Sequence, residues 1–207
     1  MLARVTDLHR CDIGDVTYWF RTPTEYDTPM LRHSLTKRGI RRPIEAELRV
    51  AAFAGIKALG EMAGDADEAA RQAGVMEDWY RLLAPIREDD IDEPDLEARA
   101  TELARLQAEQ AEERHAIFAE VAAIEAMLLR HWTPYAELIA DRELFDDLSQ
   151  IEIVCQLLVR RGEADLDRDR DGRLSSALYQ SIPKPHRPAL SAFAMRLLVP
   201  DEAAEKN

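Results

Sequence analysis

From Asp95 to Trp132 the chain runs without one Gly or Pro, and Ala, Leu, Glu and Arg dominate. These side chains lose least conformational freedom on entering a helix, so the stretch reads as a single long one. Along it, Leu96, Leu103, Leu106, Ile117, Val121, Ile124 and Leu128 keep spacings of three, four and seven, apart from one gap. Such a helix extends roughly 55 Å at about 1.5 Å per residue, more than a compact domain of this size needs. The apolar stripe lapses at Gln110 and Glu113. The first half is therefore expected to be a solvated arm or coiled-coil-like segment, and the second half to join a core.

Shorter helical segments flank it. One is capped at Asp27 or Thr28, with Pro29 at its first position and Gly39 at its end. Pro43 opens another through about Met62, striped by Ile44, Leu48, Ala52, Ile56 and Leu59. Asp65 to Ile86 reads as one or two helices, and a charged connector from Arg87 to Asp95 follows. Thr133-Pro134 restarts the chain in a helix drawn to Arg161, with Leu138, Phe145, Leu148, Ile151, Cys155 and Leu158 inward and Gly162 as the stop. A short helix near Leu174 to Gln180, a Pro-rich turn and a last helix from Ala189 to Val199 complete the list. The one clear strand signal is Val16 to Thr22, stopped by Pro23. There Val16, Tyr18 and Phe20 share one face and Thr17, Trp19 and Arg21 the other. A partner strand within Leu2 to Ile13, turned by Gly14-Asp15, makes a hairpin.

The expected fold class is mainly α: a helical bundle with one long projecting helix and a short N-terminal β strand or hairpin. Residues 1–86 supply strand plus helices, 95–132 the arm, and 133–200 a helical part packing with the N-terminal part, in one domain overall. Hydrophobic content of 46% is ordinary for a chain that buries a core.

A net charge of −13 repels phosphate backbones, so no nucleic acid is expected as a main partner. No segment reaches the run of about 18 uncharged apolar residues that a membrane span needs. The opening residues carry Asp7, Asp12 and Asp15 rather than a leader of signal type, and the cytoplasm of the cell that makes the protein is the expected location. Cys11 and Cys155 form no paired motif, and Cys155, in an apolar run, is expected to be a buried free thiol.

Asp165 to Ser175 is the most motif-like stretch. Counted from Asp167, it places Asp167, Asp169 and Asp171 at positions 1, 3 and 5 of a calcium loop. Gly172 then falls at 6, Arg173 at 7 and Ser175 at 9. Position 12 is Leu178 instead of the bidentate Glu, and Arg168 and Arg170 dilute the negative field. A solvated acidic turn capping a helix at Ser175 is the preferred reading. A Ca²⁺ site with affinity no tighter than about millimolar is the other. Otherwise no cofactor is expected.

Glu112 and His115 share a helix face but have no second such pair, and His9 with Cys11 completes no ligand set. With no catalytic motif in view, the chain is read as no enzyme. Arg32, Lys37, Arg38, Arg41, Arg42 and Arg49 form a basic cluster. It suits an acidic partner, the acidic connector (Asp89, Asp90, Asp92, Glu93) of another copy, or a charge match within the chain. The candidate protein contacts are Trp19, as a large aromatic on the outer face of an edge strand, and Leu96, Leu103 and Leu106 on the arm.

Thr17 to Gly39 (TYWFRTPTEYDTPMLRHSLTKRG) is similar to the openings of small proteins of tailed-phage tail modules, where a strand ending in R-x-P-T leads into a helix. Thr133 to Gly162, with its Y-A-x-L-x-A-D-R helix followed by an apolar one, resembles another segment of them. Those proteins look like tail assembly chaperones. The resemblance implies a factor that holds a tail tube or tape-measure protein, and no ligand or catalytic residue carries over from it. Association into a homo-oligomer is a separate expectation. It leaves open whether the protein stays in the finished virion. The runner-up is an acidic regulatory adaptor or inhibitor mimicking nucleic acid.

Overall fold

The computed structural model describes residues 7–87, 91–92, 94–170 and 172–198. Seven α-helices and four strands lie among them. The chain is mainly α, with one long helix and a short N-terminal antiparallel hairpin. It divides into two compact units, one of Met1–Arg42 with Asp141–Asn207 and the other of Pro43–Ala140.

The first unit is built on a four-stranded antiparallel sheet ordered β1-β2-β3-β4. Strands β1 (Leu8–Ile13) and β2 (Val16–Arg21) close around Gly14, whose φ of 62° is a conformation that only glycine adopts freely. Their register, Cys11 opposite Tyr18 and Ile13 opposite Val16, puts those residues on one face with Phe20. Tyr18 and Phe20 are fully buried there against Leu35, Ile153, Leu157, Leu158 and Leu190. Helix α1 (Asp27–Lys37) follows β2. Its first residue, Asp27, reaches back to accept the Thr24 N–H at 2.6 Å and holds Arg21 in a two-pronged ion pair.

The second unit holds α2 (Glu45–Ala63), α3 (Ala66–Leu83) and α4 (Leu96–His131). Of the one or two helices expected within Asp65 to Ile86 there is one, α3, started by the Asp65 carboxylate accepting the Glu68 N–H at 3.0 Å. Leu48, Ala52, Ile56, Met76, Val121, Ile124, Leu128 and Tyr135 make the core. Helices α2 and α3 approach so closely that a β-carbon on Gly60 would lie 2.4 Å from that of Ala69. Asp89, Asp90 and Glu93 of the connector lie outside the described residues.

Helix α5 (Thr133–Leu157) begins where Pro134 forbids continuation of α4, and it lends its opening residues to the second unit and the rest to the first. It stops at Leu157, not Arg161. Leu158–Arg161 is strand β3, returned by β4 (Ala164–Asp165). The apolar period alone would carry the helix on. However, β2 has a second edge of unpaired amides, and β3 satisfies it, Trp19 facing Arg160 and Phe20 facing Leu158. Helix α6 (Ser176–Ser181), a single 3₁₀ turn (Lys184–His186) and α7 (Arg187–Leu198) close the unit. Among the described residues no helix is long and apolar enough to cross a membrane.

Candidate functional site

Trp19 stands on the sheet face opposite Tyr18 and Phe20, and it is half-buried. Its strand is not an edge strand as expected: β1 and β3 flank it, because the partner segment for the second edge lies far along the sequence. Trp19 is therefore bracketed across the strands by Arg10 and Arg160. Each of these arginines holds a carboxylate, Asp12 at 2.9 Å and Asp165 at 2.7 Å. The indole thus stands in a cross-strand row between two charge-paired arginines.

On α4, the core of the second unit starts at Ile117. Leu96 is 77% exposed, and Leu103 and Leu106 are half-buried without joining that core. From Leu96 to Ile117 the helix advances roughly 30 Å at about 1.5 Å per residue. Over that length it is held by its Asp95 cap and by ion pairs from Arg105 to Glu102 and Glu109. Gln110 also donates to the Ala84 carbonyl at 2.9 Å. Arg105 is consequently pushed up, first by its hydrogen bond with Glu102 and then by the charges of Glu102 and Glu109. Such exposed pairs steady a helix without driving it into a core.

The acidic loop is organised by an arginine that the carboxylate count treats as a diluent. Arg168 sends its guanidinium to the carbonyls of Gln156 (3.0 Å), Leu158 (2.6 Å) and Gly172. Burial holds its pKa below the ordinary arginine value. Arg168 also bridges to Leu174, so the segment is a hairpin end following β3 and β4, not a loop between two helices. Asp169 accepts the Arg173 N–H through Oδ1 at 2.8 Å, and its own N–H donates to the Arg173 carbonyl at 2.8 Å. Ser175 caps α6, accepting the Leu178 N–H at 3.3 Å. Asp167 is exposed, and Asp171 lies outside the described residues. No group of three His, Cys, Asp or Glu side chains that could hold a metal ion converges among the described residues.

The basic cluster is dispersed by the fold. Arg42 pairs with Asp146 at 2.9 Å, and Arg49 lies 5.6 Å and 5.4 Å above the rings of Phe53 and Tyr80. Arg38 stands 4.0 Å from the buried carboxylate of Glu152. Lys37 joins a different group. With Met30, His33, Ser34, Arg38, Gln156 and Arg173 it lines a cavity of about 350 Å³. Arg173 donates to Ser34 at 3.1 Å and pairs with Glu152. Its place in an acidic loop hides this partnership from the sequence, and only the packing of that loop against α1 and α5 reveals it.

Both cysteines are buried and free, and burial pushes the Cys155 thiol up to about 11. No family model matches this chain, and neither a curated protein nor a solved structure does.

Proposed function

We propose that this chain is a protein-binding factor that works through helical surfaces, of the kind that holds a tail tube or tape-measure protein during tailed-phage assembly. The observation that carries the reading is the first part of α4, where Leu96, Leu103 and Leu106 lie on a helix the unit's core does not reach before Ile117. A long helix whose apolar stripe lies outside the core is stabilised further when another surface covers that stripe. The resemblance of Thr17–Gly39 and Thr133–Gly162 to tail-module proteins supplies the partner class.

The test uses hydrogen exchange and complex formation with a tailed-phage tail-tube or tape-measure protein. In the isolated protein the Leu106 amide exchanges faster than that of Ile124, and the partner slows it. Leu103→Asp with Leu106→Asp abolishes the complex while helical content and melting hold. Equal, strong protection at Leu106 and Ile124 in the isolated monomer overturns the arm; a complex that survives the double substitution does the same.

A further inference from the structure

The sheet of the first unit ends at β1, which pairs with β2 and with no other strand among the described residues. Which of its main-chain groups face away from β2 follows from the ladder. In an antiparallel pair, successive residues turn their N–H and C=O groups alternately towards the partner and away from it. The Thr22 N–H donates to the Asp7 carbonyl at 3.2 Å, so in the same register His9, Cys11 and Ile13 turn inward, opposite Phe20, Tyr18 and Val16. On the other side of β2, the Gly162 N–H reaches the Thr17 carbonyl at 2.7 Å, in keeping with that alternation. Leu8, Arg10 and Asp12 therefore turn their main-chain groups outward. Those groups have no hydrogen bond among the described residues, and all three residues are exposed.

An open edge of this kind is a template for another strand, and charged side chains are the usual obstacle to its use. Here the charges select the occupant. Arg10 and Asp12 share the outer face of the sheet and pair with one another at 2.9 Å. Two residues apart and opposite in sign, they complement the same strand run in the reverse direction about Cys11. In that register Arg10 lies opposite Asp12 of a second copy, and Asp12 lies opposite its Arg10. Both are hydrogen-bonding positions of the new ladder, so the outward N–H and C=O groups are satisfied where the charges meet.

Other registers lose one or the other of these matches. Centring the pair on Arg10 stacks arginine on arginine, and centring it on His9 sets Arg10 against Leu8. A shift by a single residue turns the buried face of one copy to solvent. Contacts in which one residue meets a second, and the second meets the first, are the mark of a two-fold interface. We propose that the protein dimerises through β1, two copies joining edge to edge about Cys11 so that the four-stranded sheet of each runs on into the other. The contact stands independently of the protein-binding reading, because it uses neither α4 nor Trp19.

The test follows the full chain by sedimentation velocity and by amide exchange. Between about 1 μM and about 1 mM, monomer should give way to dimer. Over the same range the Arg10 and Asp12 amides, free in the monomer, should exchange more slowly as the new ladder forms. Arg10→Asp sets aspartate against aspartate on both sides of the axis and should weaken the dimer roughly tenfold or more. Adding Asp12→Arg restores opposite charges across the axis and should recover it. Circular dichroism melts check that both variants fold, and the exchange measurement on the unaltered protein needs neither. A chain that stays monomeric at about 1 mM overturns the proposal. So does a dimer whose Arg10 and Asp12 amides exchange as in the monomer, since its contact lies on another surface. An Arg10→Asp protein that dimerises as tightly as the parent overturns it too, as does a folded double variant that stays monomeric.

Discussion

The contact between α2 and α3 offers a perturbation whose sign can be worked out. A methyl group on Gly60 would have its carbon 2.4 Å from the Ala69 Cβ and 3.3 Å from the Asp65 carbonyl oxygen. Carbon atoms rest about 3.5–4.0 Å apart, so the helices would have to separate by more than about 1 Å. Ala69 has no rotamer through which to yield, and separation loosens the packing of Phe53, Ile56 and Ala73 around it. Overpacking of this kind costs about 1–3 kcal/mol. Against it stands a helix-propensity gain of about 1 kcal/mol for Gly→Ala. Gly60→Ala should thus lose up to about 2 kcal/mol net, a fall in melting temperature of up to roughly 8 °C for a chain of this size. Gly74, on the exposed side of α3, has no atom within 4 Å of its missing Cβ, so Gly74→Ala keeps the propensity gain and should melt higher. Adding Ala69→Gly to Gly60→Ala should recover most of the packing loss. Thermal melts by circular dichroism read all three, and a Gly60→Ala protein that gains as much as Gly74→Ala refutes the close approach.

Two further outcomes follow from the first unit. Asp27 is 5% exposed; burial alone would raise its pKa, yet the hydrogen bonds from Arg21 and Thr24 outweigh that and hold it below the ordinary carboxylate value. Its stabilisation is therefore complete above the unfolded pKa of about 4 and is lost as pH falls through the lower folded value. Asp27→Asn should cost about 2 kcal/mol at neutral pH, shrinking towards zero in acid, by urea unfolding across pH; a gap independent of pH contradicts the ion pair. On the protein-binding reading proposed above, Trp19→Ala should weaken partner capture with only a small fall in melting temperature, and a large drop in melting temperature with capture intact would make the indole structural.

The long helix and the hairpin were legible because their signals are local. An uninterrupted run of helix formers names α4, and Gly14-Asp15 ahead of an alternating aromatic run names the turn. Strand β3 was not legible, since Leu158 and Val159 continue the apolar period of α5 and Arg160-Arg161 suit a helix end. What makes them a strand is the open edge of β2, far away in sequence. The same holds for the sites. Lys37 and Arg38 are visible as part of a basic cluster, but Gln156 reads as an ordinary helical residue. Arg168 and Arg173 read as noise in a carboxylate pattern, whereas the fold uses one to clamp the hairpin and the other to line the cavity.

The division of the chain has a consequence for the order of its synthesis. The second unit, Pro43–Ala140, is contiguous and leaves the ribosome complete, while β2 still waits for β3 and the core of the first unit lacks Ile153, Leu157 and Leu190. Near both ends of that inserted unit the chain lies side by side, Ala46 and Val50 lining one groove with Trp132 and Leu138. Once folded, the unit acts as a staple across the long loop between β2 and β3. Each halving of the effective loop lowers the closure cost by about 0.6 kcal/mol. The helical insert thereby prepares the sheet to close, and a nascent chain whose insert fails to fold presents an unpaired β2 edge for longer.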